Sequence, residues 1–525
     1  MLVRWVGVVL LLLCGAAQAL TQDEARAVAA GENDERIAAL HKALATGDAA
    51  LAPFVQALLA DEVKVSPERV FVMRGGQAFD AVTGAAALLP EGAEDVVNNN
   101  RMRRELDAAM AAVRLFSADR NERAAAIALL RDRADEAMLP LIAKAKAAEG
   151  DADLKAQLDR LEATVLIASD DPARRLAAAR ALGASDQSAV RSLLLDRLAA
   201  GVESDAQVRA ALRASIDAVE SRLAWGERLG LLFTGVSLGS ILLLVALGLA
   251  ITYGLMGVIN MAHGELMMIG AYATWLVQDA FRAWFPGAFD AYILAAIPAS
   301  FLASALVGAV LERTVIRWLY GRPLETLLAT WGISLVLMQA VRSLFGAQNV
   351  QVENPSWMSG GVAVASNLTL PYNRIAIVVF AALVLAAMAL LIAKTRLGLF
   401  VRGVTQNRRM AACTGVDTAR VDTYAFALGA GIAGLAGCAL SQVGNVGPDL
   451  GQSYIVDSFM VVVLGGVGQL AGTVVAALGL GVLNKLLEGW AGAVLAKIMV
   501  LVFIVVFIQK RPQGLFAMKG RSAEA

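Results

Sequence analysis

The chain changes texture once. Up to about residue 228, short apolar and alanine-rich stretches alternate with Asp, Gly and Ser turns, the rhythm of short amphipathic helices. From Leu229 onward, long uncharged runs take over. The first, "GLLFTGVSLGSILLLVALGLAITYGL" from Gly230, carries no charge and exceeds the roughly 20 residues that a helical span needs. Further apolar runs predict spans over about residues 258–278, 291–311, 324–345, 375–393, 424–443 and 494–508, with a glycine-broken stretch over 455–487. Helices are the natural solution, because hydrocarbon offers no partner to a free backbone N–H or C=O. The predicted fold class is all-α: a polytopic helical membrane domain preceded by a soluble α-helical domain.

The first half contains a weak internal echo. "SADRNERAAAIALLRDRADEAMLPLI" from Ser117 parallels "SDDPARRLAAARALGASDQSAVRSLL" from Ser169 in its polar opening, alanine-rich middle and apolar end. "LHKALATGDAALAPFVQALL" from Leu40 has the same helix, turn, helix rhythm. The pattern resembles HEAT-like helical repeats, in which stacked helix pairs bury the faces that one pair leaves open; a plain irregular helical bundle is the alternative. No catalytic constellation appears here, since His41 is the only histidine and the acids suit solvated faces.

Composition sharpens the division. The chain is 58% hydrophobic and 18% charged with zero formal net charge, which suits a bilayer and gives no sign of a nucleic-acid partner. The N-terminus "MLVRWVGVVLLLLCGAAQAL" has a basic Arg4, a short apolar core and an Ala17-Gln18-Ala19 cleavage signature, so a cleaved secretory signal over residues 1–19 is expected. A lipoprotein signal using Cys14 is the rival, with the bulky Leu13 against it. Cys413 and Cys438 form no metal-type spacing. The expected divisions are thus 1–19 signal, 20–228 periplasmic helical domain, 229–518 membrane domain and 519–525 cytoplasmic tail.

Loop charge sets the orientation. Arg313, Arg317 and Arg322 follow one span; Lys394, Arg396, Arg402, Arg408, Arg409 and Arg420 fill a second loop; Lys510, Arg511, Lys519 and Arg521 mark the tail. Residues 346–373 have no Lys or Arg. The positive-inside rule puts the first three in the cytoplasm and the last outside, which agrees with a secreted first domain. Parity then requires 455–487 to begin and end outside, as a re-entrant hairpin or two short spans around "GGVGQLAGT".

Enzyme chemistry finds no footing. There is no H-E-x-x-H, two histidines rule against a histidine-rich zinc site, and no G-x-x-x-x-G-K-[ST] occurs. Serines in the spans lack a neighbouring base. Gly429, Gly431, Gly434, Gly437, Gly479 and Gly481 suit close helix packing. Asn260, His263 and Glu265 differ, because hydrogen-bonding and ionisable groups are expensive in a span. With 258–278 helical, Asn260 and His263 share a face. Two readings stand: an interhelical hydrogen-bond cluster near the cytoplasmic boundary with Glu265 partly hydrated, or the lining of a translocation path. Candidates for that path are Asn260, His263, Glu265, Thr330, Gly465, Gly466 and Gly468. The basic loop "RGVTQNRRMAACTGVD" is long enough for a helix ended by Gly415 that docks in a groove on a cytoplasmic partner.

Together, "YGLMGVINMAHGELMMIGAY", "TRLGLFVRGVTQNRRMAACTGVD", "FMVVVLGGVGQLAGT" and "KRPQGLF" resemble the permease subunits of branched-chain amino-acid ABC importers over about residues 230–516. Within that family, "MGVINMAHGELMMIGAYATW" and the secreted extension look most like urea-importer permeases. The resemblance implies an inner-membrane subunit working with a second related permease, two cytoplasmic ATPases and a periplasmic solute-binding protein. It implies no cofactor on this chain, ATP being bound by the partners, and a coupling loop carrying Arg402, Arg408, Arg409 and Gly415 that meets an ATPase. Urea is the expected solute, favoured mildly by the scarcity of ionised groups in the spans, with a branched-chain amino acid as the alternative. A stand-alone channel would leave the coupling loop unused. A membrane-anchored receptor would leave Asn260, His263 and Glu265 unexplained.

Overall fold

The structure is a computed structural model that describes residues 20–46, 51–131, 133–199 and 201–516. The expected signal sequence, Cys14 and the tail from 519 lie outside the described residues. The chain divides into two compact units, Met1–Leu223 and Ala224–Ala525.

The first unit is helical: α1 (Gln22–Ala29), α2 (Asn33–Thr46), α3 (Leu51–Leu59), α4 (Asn100–Arg114), α5 (Arg120–Leu130), α6 (Leu139–Ala148), α7 (Ala152–Leu166), α8 (Pro172–Leu182), α9 (Ser188–Leu198) and the start of α10 (Ala206–Met256). Between α3 and α4 it holds a four-stranded antiparallel sheet not expected from the sequence, β1 (Val63–Val65), β2 (Val70–Arg74), β3 (Gln77–Asp80) and β4 (Glu94–Asp95), in the order β3-β2-β1-β4. Its signal was present. "VFVMRGGQAFD" places two glycines, at φ 57° and 83°, between paired Arg74 and Gln77, which is the two-residue hairpin turn that matches strand twist.

The echo between the Ser117 and Ser169 segments is one device used twice. Arg123 donates to the Ser117 and Ala118 carbonyls and to both oxygens of Glu149. Arg175 does the same to the Ser169 and Asp170 carbonyls and to Glu203. Each carboxylate also accepts the backbone N–H of the next capping aspartate, Asp151 or Asp205. Asp151 then caps α7 and Asp205 caps α10. The Leu40 segment has the helical rhythm but a different bracket, buried Arg36 donating to Val28 O, Val97 O and Asn98 Oδ1.

The second unit contains the rest of α10, α11 (His263–Trp284), α12 (Tyr292–Thr314), α13 (Pro323–Phe345), the hairpin β5 (Gly361–Ala365) and β6 (Leu368–Pro371), α14 (Tyr372–Lys394), α15 (Arg396–Gln406), α16 (Arg408–Cys413), α17 (Thr418–Ser441), α18 (Leu450–Gly465), α19 (Leu470–Ala491) and α20 (Ala493–Lys510). Among the described residues, seven helices are long and apolar enough to cross a membrane: α10, α12, α13, α14, α17, α19 and α20. In α17, 83% of the apolar window is buried, against 17% in α14 and α20, so α17 is central and those two are peripheral. It packs most extensively against α12 and α11.

Glycines make that centre possible. A Cβ on Gly429 would meet Gly248 O at 2.7 Å, one on Gly431 would enter the Phe301 ring, and one on Gly437 would strike the backbone of Met267. Gly434 presses on Ser300 and Gly481 on Gly239. Gly479 departs from the expectation, having nothing within 4 Å.

Candidate functional site

The expected helix over 258–278 does not form as one piece. Helix α10 ends at Met256, with Gly257 at φ 64° and its N–H on Tyr253 O, a left-handed stop. The chain then turns back without helical structure, and α11 starts only at His263. Asn260 therefore precedes the helix and shares no helical face with His263. Its Oδ1 accepts the Ala262 N–H at 3.0 Å, fixing the return segment.

His263 locates the depth of this start. Its Nε2 lies 3.1 Å from Val245 O, and because a carbonyl only accepts, that nitrogen carries the proton. Val245 lies eleven residues before the end of α10, about 16 Å along its axis at 1.5 Å per residue. The cluster is thus inside the bundle rather than at its rim, and Glu265 is 1% exposed rather than partly hydrated. Non-helical backbone at such depth survives only when enclosed by protein or facing a cavity.

Thr330 on α13 joins the group. Its Oγ1 accepts the Met261 N–H at 3.1 Å and donates to its own helix at Leu327 O. One turn further, Ser334 is within hydrogen-bonding reach of the Glu265 carboxylate. Further still, Phe345 stacks on Tyr272 at 4.9 Å and meets Trp275 edge-on. The faces of α11 and α13 thus match in parallel, polar at the start and aromatic at the end. Asn260 Nδ2, His263 Nδ1, Glu265 Oε2 and Tyr272 OH are buried with no hydrogen-bond partner among the described residues. Open donors and acceptors in a protein interior are costly, which sets these atoms apart from the satisfied polar groups around them.

Helix α18 starts beside the same place. Gly451 packs on Gly264, its Cβ position 2.8 Å from Glu265 N. From there α18 follows α10, with Phe459 against the Tyr253 ring. Two helices accordingly begin in mid-bundle, and helix N-termini offer free N–H groups and a partial positive charge. The stretch 455–487 resolves into α18 and α19, joined by a tight turn. Gly466 (φ 98°) and Gly468 (φ 79°) give the turn its left-handed backbone, and Gly465 packs on Gly472. These glycines do not line the Asn260 cluster. They seat the C-terminal segment, Leu515 N–H donating to Leu464 O at 2.8 Å and Gly514 lying against Gly466, while Gly468 touches the end of α10 at Gly254.

The basic loop is two helices rather than one. Asn407 ends α15 and caps α16 by accepting the Met410 N–H, and Gly415, at φ 87°, follows α16. Arg402, Arg409 and Met410 are exposed, whereas Val404 and Ala411 are buried. Arg408 is exposed as well, its side chain 43% accessible, but its guanidinium forks onto both oxygens of buried Asp422 on α17. Ser334, Tyr272, Asp422 and Glu312 were not singled out from the sequence. Asp422 and Glu312 sit at the ends of apolar runs, where acids look solvated, and only the contact across helices distinguishes them.

Comparison with known proteins fits this geometry. The family described as branched-chain amino acid transport system / permease component matches residues 231–508. The LivH high-affinity branched-chain amino acid transport permease of Salmonella typhimurium is 28% identical over 294 residues, 54% of this chain and 94% of the relative. The corresponding BraD protein of Pseudomonas aeruginosa is 30% identical over 48% of this chain and 83% of its own length. A probable LivH permease of Methanocaldococcus jannaschii is 23% identical over 55% of this chain and 92% of its own length. No solved structure matches. Residues 20–228 lie outside the matched region, so the comparisons speak for the second unit. With more than half its length matched by the family, including every helix around the buried Asn260–Glu265 cluster, the chain belongs to the branched-chain amino acid transport permease components.

Proposed function

We propose that the chain is a transmembrane subunit of an ATP-driven importer in a bacterial inner membrane, admitting a branched-chain amino acid. The observation that carries this reading is the family match across the bundle. On this reading a second related permease completes the path, two cytoplasmic ATPases supply the energy, and a periplasmic binding protein delivers the solute. The open groups suit the cargo. Glu265 Oε2 is an acceptor for an ammonium, and Asn260 Nδ2 beside the positive end of the α11 dipole can donate to a carboxylate. Residues of this chain then bind and orient the solute, while ATP acts only on the partners.

Urea is the second reading. It is supported by the resemblance of "MGVINMAHGELMMIGAYATW" and the extension to urea-importer permeases and by the neutral groups of Asn260, His263 and Tyr272, which would equally take a planar amide. Competition decides between them. In cells, uptake of labelled leucine through the system should be suppressed by excess isoleucine or valine and unaffected by excess urea. Saturable urea uptake that leucine does not inhibit would transfer the assignment to urea.

A further inference from the structure

Among the described residues of the second unit, two carboxylates are buried without serving the solute site: Glu312, 2% exposed at the end of α12, and Asp422, 0% exposed in the first turns of α17. They belong to one polar network. Glu312 accepts the Tyr320 hydroxyl at 2.8 Å and the Thr423 hydroxyl at 2.6 Å. Arg313 Nε donates to the same Thr423 oxygen at 3.0 Å. Asp422, beside Thr423, receives the fork of Arg408, whose guanidinium also lies over the Tyr320 ring at 5.2 Å from its centroid. The network ties together α12, the segment leading to α13, α17 and the short helix α16.

Its position against the packing gives it a purpose. Below α15 lies a cavity of about 760 Å³ lined by Ile251, Gly254, Leu391, Val401, Thr405 and Gly468. Helix α15 is therefore incompletely packed on the bundle along one flank, while α16, which follows it, is clamped to α17 by a forked, charge-assisted contact. Helix α17 is the most buried of the spans and touches α11 through Gly437 and Gly434, immediately beyond the turn that bears Glu265.

We infer that Asp422 is a positioning residue that latches the α15–α16 pair, through Arg408, to the central helix α17, so that displacement of this pair by an ATPase is delivered to α17. The inference rests on the importer reading. The basic residues of the loop then have separate roles, Arg402 and Arg409 facing the partner beside Met410 while Arg408, though 43% exposed, is held by Asp422 and carries the movement. A structural ion pair and a transmitting one respond differently to removal of both charges. Only Asp422 is buried, so removing Arg408 alone strands a buried charge, whereas neutralising both partners leaves none.

The test uses the whole importer in proteoliposomes loaded with ATP, read as labelled leucine accumulated per ATP hydrolysed and as ATPase retained on purification. The wild-type complex is the control, and absence of ATP-dependent uptake there would indict the importer reading rather than the latch. Arg408→Met should weaken ATPase retention, because Asp422 loses its partner. Arg408→Met with Asp422→Asn should restore retention but leave leucine per ATP down by about tenfold, an ordinary coupling energy. Full recovery of both readouts in the double variant, or unaltered coupling in Arg408→Met, would overturn the latch.

Discussion

Glu265 carries one hydrogen-bonding oxygen toward Ser334 and leaves the other without a partner among the described residues, in a position 1% exposed. Glu265→Gln keeps the shape and removes the charge. Because hydrogen bonds to a charged group are worth about 1.5–3 kcal/mol, the variant should lower uptake by about tenfold or more with normal amounts of protein in the membrane. His263→Ala tests a different property, since the ring supports Val245 O and fills the space opposite Gly248. It should reduce thermal stability in detergent as well as uptake. Unchanged uptake in both variants would make the cluster purely structural. In the first unit, Arg123 and Arg175 hold the Glu149 and Glu203 carboxyls below their ordinary value of 4.5. A lowered carboxylate pKa stabilises the fold above the unfolded value and loses that contribution as pH falls through the folded value. Protease resistance of the first unit in the full-length chain should therefore hold from neutral pH to about 4.5 and decline below it. Glu203→Gln should flatten that decline and lower resistance at pH 7.

At the scale of elements, glycine contacts decide how closely α10, α11, α12 and α17 approach. Gly437→Val would drive a branched side chain into the Met267 backbone, and overpacking of this kind costs roughly 1–3 kcal/mol. Gly479→Val should be tolerated, because nothing lies within 4 Å of its Cβ position. Melting curves of the two purified variants provide the comparison, and equal melting temperatures would contradict the packing account. Most helices were legible because an uninterrupted apolar run of this length has one stable form in hydrocarbon. The breaks were harder to place. Asn260 and Gly257 were visible as polar or flexible residues, but the start of α11 at His263 depends on Thr330 accepting the Met261 N–H and on Val245 accepting from the ring. Those partners lie elsewhere in the chain, and no local periodicity contains them. The small sheet was legible and missed, because the alanine-rich texture around it overshadowed the Gly75-Gly76 hairpin.

For the whole molecule, the lysine and arginine distribution predicts a first unit in the periplasm and both the α15–α16 pair and the C-terminal segment in the cytoplasm. Reporter fusions after Leu223 and after Phe516 should report opposite sides of the membrane; the same side for both would reverse the topology. This orientation puts exposed Arg402 and Arg409 where an ATPase can reach them, and leaves the mid-bundle starts of α11 and α18 between the two compartments. The most direct measurement is uptake of labelled leucine by proteoliposomes containing this chain with its second permease, ATPases and binding protein. The account predicts accumulation that requires ATP inside, requires the binding protein outside, and falls sharply with Glu265→Gln. Equal leucine entry by this chain alone, without nucleotide or partners, would contradict it and identify a channel.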